Sequence, residues 1–234
     1  MLDALVIAPH PDDAELGMAG GILKMQAEGL RVGVLDLTTG EPTPHGSPEQ
    51  RAAETAAATG ILGLAWRENL GLPNRRLEAT LANRAKLAGV IRQQRPRWLF
   101  APYWEDAHPD HTAATKLVDD ARFWAKLTKT EGTDHQLPGE PHHPQRVYNY
   151  YCVHLKLAPQ PAFVLDISDV WEKKLASIRA YESQFVADRP TAYPTFLDQL
   201  THEAAYWGKT IGVPYGEPYA SREPVGLSGF SDLM

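Results

Sequence analysis

The chain has 234 residues, of which 43% are hydrophobic and 22% charged. That balance suffices for one sizeable buried core and argues against a disordered chain, and no apolar run is long enough to span a bilayer. A net charge of −6 offers no basic field to a phosphate backbone, which argues against nucleic acid as a partner.

The N-terminal stretch Met1-Leu2-Asp3-Ala4-Leu5-Val6-Ile7-Ala8 lacks a basic n-region, so it reads as a first strand and not as a signal peptide. Apolar runs suited to buried strands follow at Val32 to Leu37, Leu64 to Leu70 and Trp98 to Ala101. Between them helices are expected from about Ala14 to Glu28, Pro48 to Leu62 and Ala79 to Gln94, with Pro48 as a start and Gly29 and Gly60 as stops. This alternation predicts a doubly wound, mainly parallel α/β sheet with helices on both faces, built as one domain over 1–234. A helix from about Asp110 to Trp124 comes next, and then an aperiodic stretch, Thr128 to Pro144, that reads as a mobile loop. Arg146 to Val153 and Phe163 to Ile167 look like later strands, and Val170 to Tyr181 and Phe196 to Gly208 like later helices. The turn-rich, aromatic segment 213–234 is expected to pack as a tail against the body or a neighbouring subunit. Cys152, the only cysteine, excludes an internal disulfide, reads as a small buried hydrophobe, and leaves the cytoplasm as the default compartment.

Ligand crevices of open α/β sheets lie beyond the carboxyl ends of the strands, and the two densest His/Asp clusters fall there. Pro9-His10-Pro11-Asp12-Asp13 leaves the first strand, and His108-Pro109-Asp110-His111 follows the strand that ends at Ala101. A catalytic zinc site needs three protein ligands and one open position, and His10, Asp13 and His111 can supply that set. Pro9 and Pro11 restrict the turn around His10, which lowers the ordering cost of binding a metal. Asp12 is then left to take a proton from water. His108, as an imidazolium held by Asp110, is left to stabilise an oxyanion or to protonate a leaving amine. Taken singly, Asp12, Asp13 and Asp110 could be no more than helix N-caps. Such a concentration of His and Asp groups at two strand ends of one sheet favours a metal site, because burying them without a metal or a substrate is costly.

The two motifs together resemble the signature of the PIG-L/LmbE-like zinc-dependent N-acetylglucosaminyl deacetylases. The resemblance implies a Rossmann-like fold and one Zn2+ per chain on His10, Asp13 and His111, with another divalent metal as the alternative. It also implies Asp12 as general base and His108, oriented by Asp110, at the oxyanion. Further stretches, among them Thr38-Thr39-Gly40-Glu41, Asn69-Leu70-Gly71-Leu72-Pro73 and Tyr215-Gly216-Glu217-Pro218, are similar to the branch that deacetylates N-acetylglucosaminyl-malate in bacillithiol biosynthesis. That branch is expected to carry a basic residue just before His108, where this sequence has Ala107, and a methyl group cannot replace a bidentate arginine–carboxylate contact. Arg51, which the resemblance brings to the active site, is the remaining cation, although at the start of a helix it could equally be a solvated charge. A homo-oligomer is implied as well, with a hexamer as the size to test.

Amide hydrolysis of an N-acetylated sugar is therefore the expected activity, with the aglycone left open. A metal-dependent phosphoesterase would need bridging carboxylates beyond one three-ligand set, and no third cluster provides them. A non-catalytic sugar-binding protein would have no use for Asp12 and His108. His135, His142 and His143 have no carboxylate at ligand spacing and read as a solvated loop, with a substrate lid as the alternative. Gly17, Gly20 and Gly21 do not make a dinucleotide loop, because His-Pro-Asp-Asp occupies the turn that a pyrophosphate would approach.

Overall fold

The computed structural model describes residues 1–130 and 136–227. Ala4–Ala8 (β1) and Val32–Thr38 (β2) are buried along their whole length, as strands covered on both faces must be. Trp66–Leu72 (β3), Trp98–Pro102 (β4) and Arg146–Tyr150 (β5) continue the sheet in parallel. Phe163–Asp166 (β6) and Gly216–Ala220 (β7) complete an order β3-β2-β1-β4-β5-β7-β6, in which β7 runs antiparallel to both its neighbours.

Alternate residues of β1 serve opposite layers. Leu5 and Ile7 join Leu35 and Leu99 in a core closed by Leu87 and Ile91 of Leu81–Gln94 (α3) and Leu117 of Pro109–Ala125 (α4). Ala4, Val6 and Ala8 face Met18 and Ile22 of Asp13–Ala27 (α1) and Leu62 of Pro48–Leu62 (α2). Trp171–Arg179 (α5), the short Glu182–Phe185 (α6) and Phe196–Ile211 (α7) extend the α1 side, where Leu16, Ile178 and Leu200 pack together. The chain thus forms the doubly wound, mainly parallel α/β sheet expected of it. Because β1 lies between β2 and β4, the chain reverses direction across the sheet there, and the crevice beyond the carboxyl ends of β1 and β4 receives both His/Asp motifs.

Several local features depart from expectation for identifiable reasons. α2 spans Pro48–Leu62 as expected, but its stop is Gly63 and not Gly60: the φ of 67° at Gly63 is the left-handed conformation a helix terminus demands. β5 ends at Tyr150, so Cys152 lies just past the strand, buried but not within it. Residues 216–220 of the expected tail form an internal strand, and 228–234 lie outside the described residues.

α1 is kinked at Met18 (φ −150°, ψ 23°), which opens its hydrogen-bond ladder. Glu217 of β7 accepts from the N–H groups of Gly20 and Gly21 at 3.1 and 2.7 Å and pairs with the buried Lys174 of α5. A Cβ on Gly21 would sit 2.1 Å from the Tyr219 hydroxyl, and one on Gly17 2.3 Å from the Tyr150 ring. These glycines let β5 and β7 approach the helix, which accounts for them without a nucleotide.

The described part of the 128–144 loop is stapled to the body. Buried Arg92 donates to the carbonyls of Ala125, Leu127, Leu137 and Gly139. His142 is tied to the Pro96 carbonyl, before β4 and therefore at the opposite end of the sheet from the crevice. His135 lies outside the described residues. Among the described residues no helix is long and apolar enough to cross a membrane.

Candidate metal centre and active-site pocket

The turn from β1 into α1 is set by Asp12, whose φ of 118° is unusual for a residue with a side chain. Strain of this kind persists only where the surroundings fix it, and it points the Asp12 and Asp13 carboxylates in different directions. Neither caps α1: Asp12 occupies the cap position without a capping bond. Asp13 instead folds back onto His10, accepting from its backbone N–H at 2.9 Å and lying 3.1 Å from its Nδ1. The other Asp13 oxygen is 3.4 Å from His111 Nε2. Potential ligand atoms of His10, Asp13 and His111 all lie within 4.8 Å of one another, and all three residues are buried. Two imidazole nitrogens and one carboxylate oxygen suit zinc and related divalent ions.

The far side of each imidazole is occupied by a second carboxylate. Asp110 lies 3.2 Å from His10 Nε2 and accepts from the backbone N–H groups of Arg75 and Leu77. Asp106 lies 3.0 Å from His111 Nδ1 and accepts from the His108 N–H at 2.7 Å. Asp110 was expected to hold His108, and it does not: its side chain turns towards His10, because the first turn of α4 points it back across the crevice. His108 is itself the N-cap of α4, its Nδ1 accepting from the Asp110 N–H at 3.2 Å.

The electrostatics follow from this packing. Burial alone would lower the pKa of His10, but the Asp110 and Asp13 carboxylates push it up to about 9. Burial opposes the charged form of His111 too, and Asp13 and Asp106 overcome it, raising it well above the usual range. The carboxyl of Asp13, despite its burial, is held well below its ordinary value by His111 and His10. Asp12 moves the other way: burial, only partly offset by Arg51, pushes it up to about 7. Burial and the neighbouring His111 and His10 lower the pKa of His108.

Arg51 is buried in α2, with Nη2 3.2 Å from Asp12, and its Nε and Nη1 have no hydrogen-bond partner among the described residues. It is not a solvated surface charge. A cavity of about 260 Å³ is lined by His10, Asp12, Asp13, Arg51, His108 and His111, so six of the seven residues picked out from the sequence meet in one pocket, with Asp110 directly behind His10. Ala107 takes no part in it. Three contributors escaped the sequence reading. Asp106 stands two residues before His108. His154, whose ring lies 5.7 and 5.6 Å from those of His108 and His111, follows the carboxyl end of β5, the same place that flagged the other motifs. Arg67 of β3 binds Asp36 with two hydrogen bonds, Glu15 and Tyr181 beneath the turn, and no sequence spacing reveals that network.

The profile of the family described as GlcNAc-PI de-N-acetylase, PIG-L, matches residues 5–122, which span both motifs. The chain belongs to the PIG-L family. Diacetylchitobiose deacetylase of Thermococcus kodakarensis is 33% identical over 223 residues, covering 91% of this chain and 80% of the relative. The 4-oxalmesaconate hydratase of Pseudomonas putida is 28% identical over 201 residues, covering 77% and 73%. The crystal structure of a conserved protein of Thermus thermophilus superposes with a TM-score of 0.87 at 41% identity, covering 98% of this chain and 99% of that one. This PIG-L protein therefore carries the family's fold and a group of side chains fit to hold a metal ion.

Proposed function

We propose that this PIG-L protein is a zinc-dependent deacetylase that hydrolyses the acetamide of an N-acetylglucosamine conjugate to acetate and a free amine. The convergence of a three-ligand set with a buried carboxylate and a neutral histidine in one pocket supports this reading. When bound by His10, Asp13 and His111, zinc would supply Lewis acidity, polarising the acetyl carbonyl and making water easier to deprotonate.

The remaining steps belong to the chain. Asp12, raised to about 7, takes a proton from water as the water oxygen attacks the carbonyl carbon, and returns it to nitrogen as the C–N bond breaks. His108, neutral and with Nδ1 committed to accepting the Asp110 N–H, carries its proton on Nε2 and donates it as a hydrogen bond to the oxygen that gains charge. Arg51 holds Asp12 in place and keeps two N–H-bearing nitrogens free for substrate. It is the cation to meet an aglycone carboxylate in place of Ala107, so N-acetylglucosaminyl-malate and diacetylchitobiose are the first conjugates to compare. The reading includes one domain over the whole chain, a cytoplasmic location, and a homo-oligomer whose size, a hexamer or otherwise, light scattering would give.

Zinc-loaded protein should release acetate from at least one such conjugate, and Asp12→Ala should abolish most of that release. Equal rates for the two proteins would overturn the mechanism. The similarity to a hydratase suggests addition of water to an activated double bond as the second reading. Hydration of 4-oxalmesaconate without acetate release from any sugar conjugate would favour it.

A further inference from the structure

We propose that Asp106 is the positioning residue for the metal ligand His111. It fixes the imidazole in the tautomer that carries its proton on Nδ1, so that Nε2 is free for the ion. The inference rests on the metal reading above and concerns a residue outside the three-ligand set.

The geometry is specific. The Asp106 carboxylate is fully buried, with one oxygen 3.0 Å from His111 Nδ1 and the other accepting the His108 N–H at 2.7 Å. The second bond anchors the carboxylate to the backbone that starts α4, so it is fixed by the helix it serves. An ionised carboxylate only accepts, which obliges Nδ1 to be the protonated nitrogen. Nε2 is left facing Asp13 at 3.4 Å, on the side where His10 also presents a ring nitrogen. Asp110 stands in the same relation to His10, but it reaches across from α4 to the turn that follows β1. Asp106 does so within one loop, five residues from its histidine.

Asp106, His111 and Cys152 also offer ligand atoms within 4.8 Å of one another, which raises the competing assignment of Asp106 as a ligand of a separate ion. Both oxygens of the carboxylate are already engaged, one by the His108 N–H and the other by His111 Nδ1. Positioning is the role these contacts favour.

The test compares wild type, Asp106→Asn and His10→Ala by zinc titration against a chromophoric chelator, with circular dichroism as the check on folding. Asparagine keeps the shape and the acceptor for the His108 N–H, but it presents an N–H2 to Nδ1 and so drives the proton onto Nε2, where it blocks ligation. Asp106→Asn should bind zinc about 10- to 100-fold more weakly, in line with other carboxylates that orient metal-bound histidines, while retaining its secondary structure. Unchanged affinity in a folded variant would overturn the inference. Wild type that binds no zinc, or binds as well after His10→Ala, would instead defeat the metal reading itself. If the variant does not fold, nitrogen-15 spectra of zinc-loaded wild type decide: a proton on Nδ1 of His111 supports the assignment, and metal on Nδ1 refutes it. Two zinc ions per chain, one of them lost in Cys152→Ser, would also refute it.

Discussion

His108 shows how a neighbouring backbone group settles a side chain's chemistry. Its residue type alone suggested an imidazolium held by a carboxylate. The fold instead makes it the cap of α4, where burial first, and then the neighbouring His111 and His10, lower its pKa. A neutral imidazole with its proton on Nε2 stabilises a developing negative charge as a hydrogen-bond donor, without first having to give up that proton. His108→Ala should therefore lower kcat by about 10²- to 10³-fold with KM little changed, as for the loss of one oxyanion donor. Steady-state kinetics on the conjugate that releases acetate would check it, and a kcat within twofold of wild type would remove His108 from the reaction. Arg51 makes the complementary case. Arg51→Lys keeps the charge but loses the planar fork, and a conjugate with an acidic aglycone should suffer more in kcat/KM than a neutral one. Equal losses on both would assign Arg51 to Asp12 alone.

Among the elements, α1 depends most on distant chain. Its first turn carries Asp12 and Asp13, and its kink exposes the N–H groups that Glu217 caps from β7. Glu217 is also the partner of the buried Lys174. Glu217→Ala should cost roughly 3–5 kcal/mol, because it strands a buried charge, and a shift in the urea unfolding midpoint would measure it. A loss under about 1 kcal/mol would mean that solvent reaches Lys174. β7 was illegible in sequence because Gly216, Glu217 and Pro218 are poor strand formers by themselves. They pair because β5 and β6 leave a gap that an extended segment fills. The four-residue α6 was equally hidden, being too short for any helical pattern to reveal. By contrast, α2 starts at Pro48 as its sequence required, with Ser47 accepting from the Gln50 N–H.

In the whole molecule, the candidate metal centre of His10, Asp13 and His111 joins the start of α1 to the start of α4, so an ion there should act as a cross-link between the two halves of the crevice. Zinc at about 100 times its Kd should stabilise the protein by about 2.7 kcal/mol, seen as a higher Tm that falls on adding a chelator. The effect depends on pH in a definite direction. Without metal, His10 is protonated more readily than in an unfolded chain, its pKa rising from 6.5 to about 9. That contribution to stability is complete below 6.5 and is lost as pH climbs through 9. Metal binding requires the deprotonated ring, so it releases a proton and strengthens across the same interval. The gap in Tm between loaded and metal-free protein should widen from pH 6.5 to 9, and a gap that narrows would contradict the ligand role of His10.

The sequence by itself determined the alternation of buried strands and helices, and hence the doubly wound sheet. Short-range patterning is enough for that, because burial on both faces of a parallel strand demands a continuous apolar run. It also marked both His/Asp motifs, because they follow strand ends. Tertiary structure alone decided which carboxylate serves which histidine, that Arg51 lies against Asp12, and that Asp106 and His154 join the site. The Asp110–His10 pairing joins residues a hundred apart in the chain, and even Asp106, five residues from His111, meets it only because the start of α4 turns both inward. Their partners are fixed by how helices settle on a sheet, and no local spacing records that.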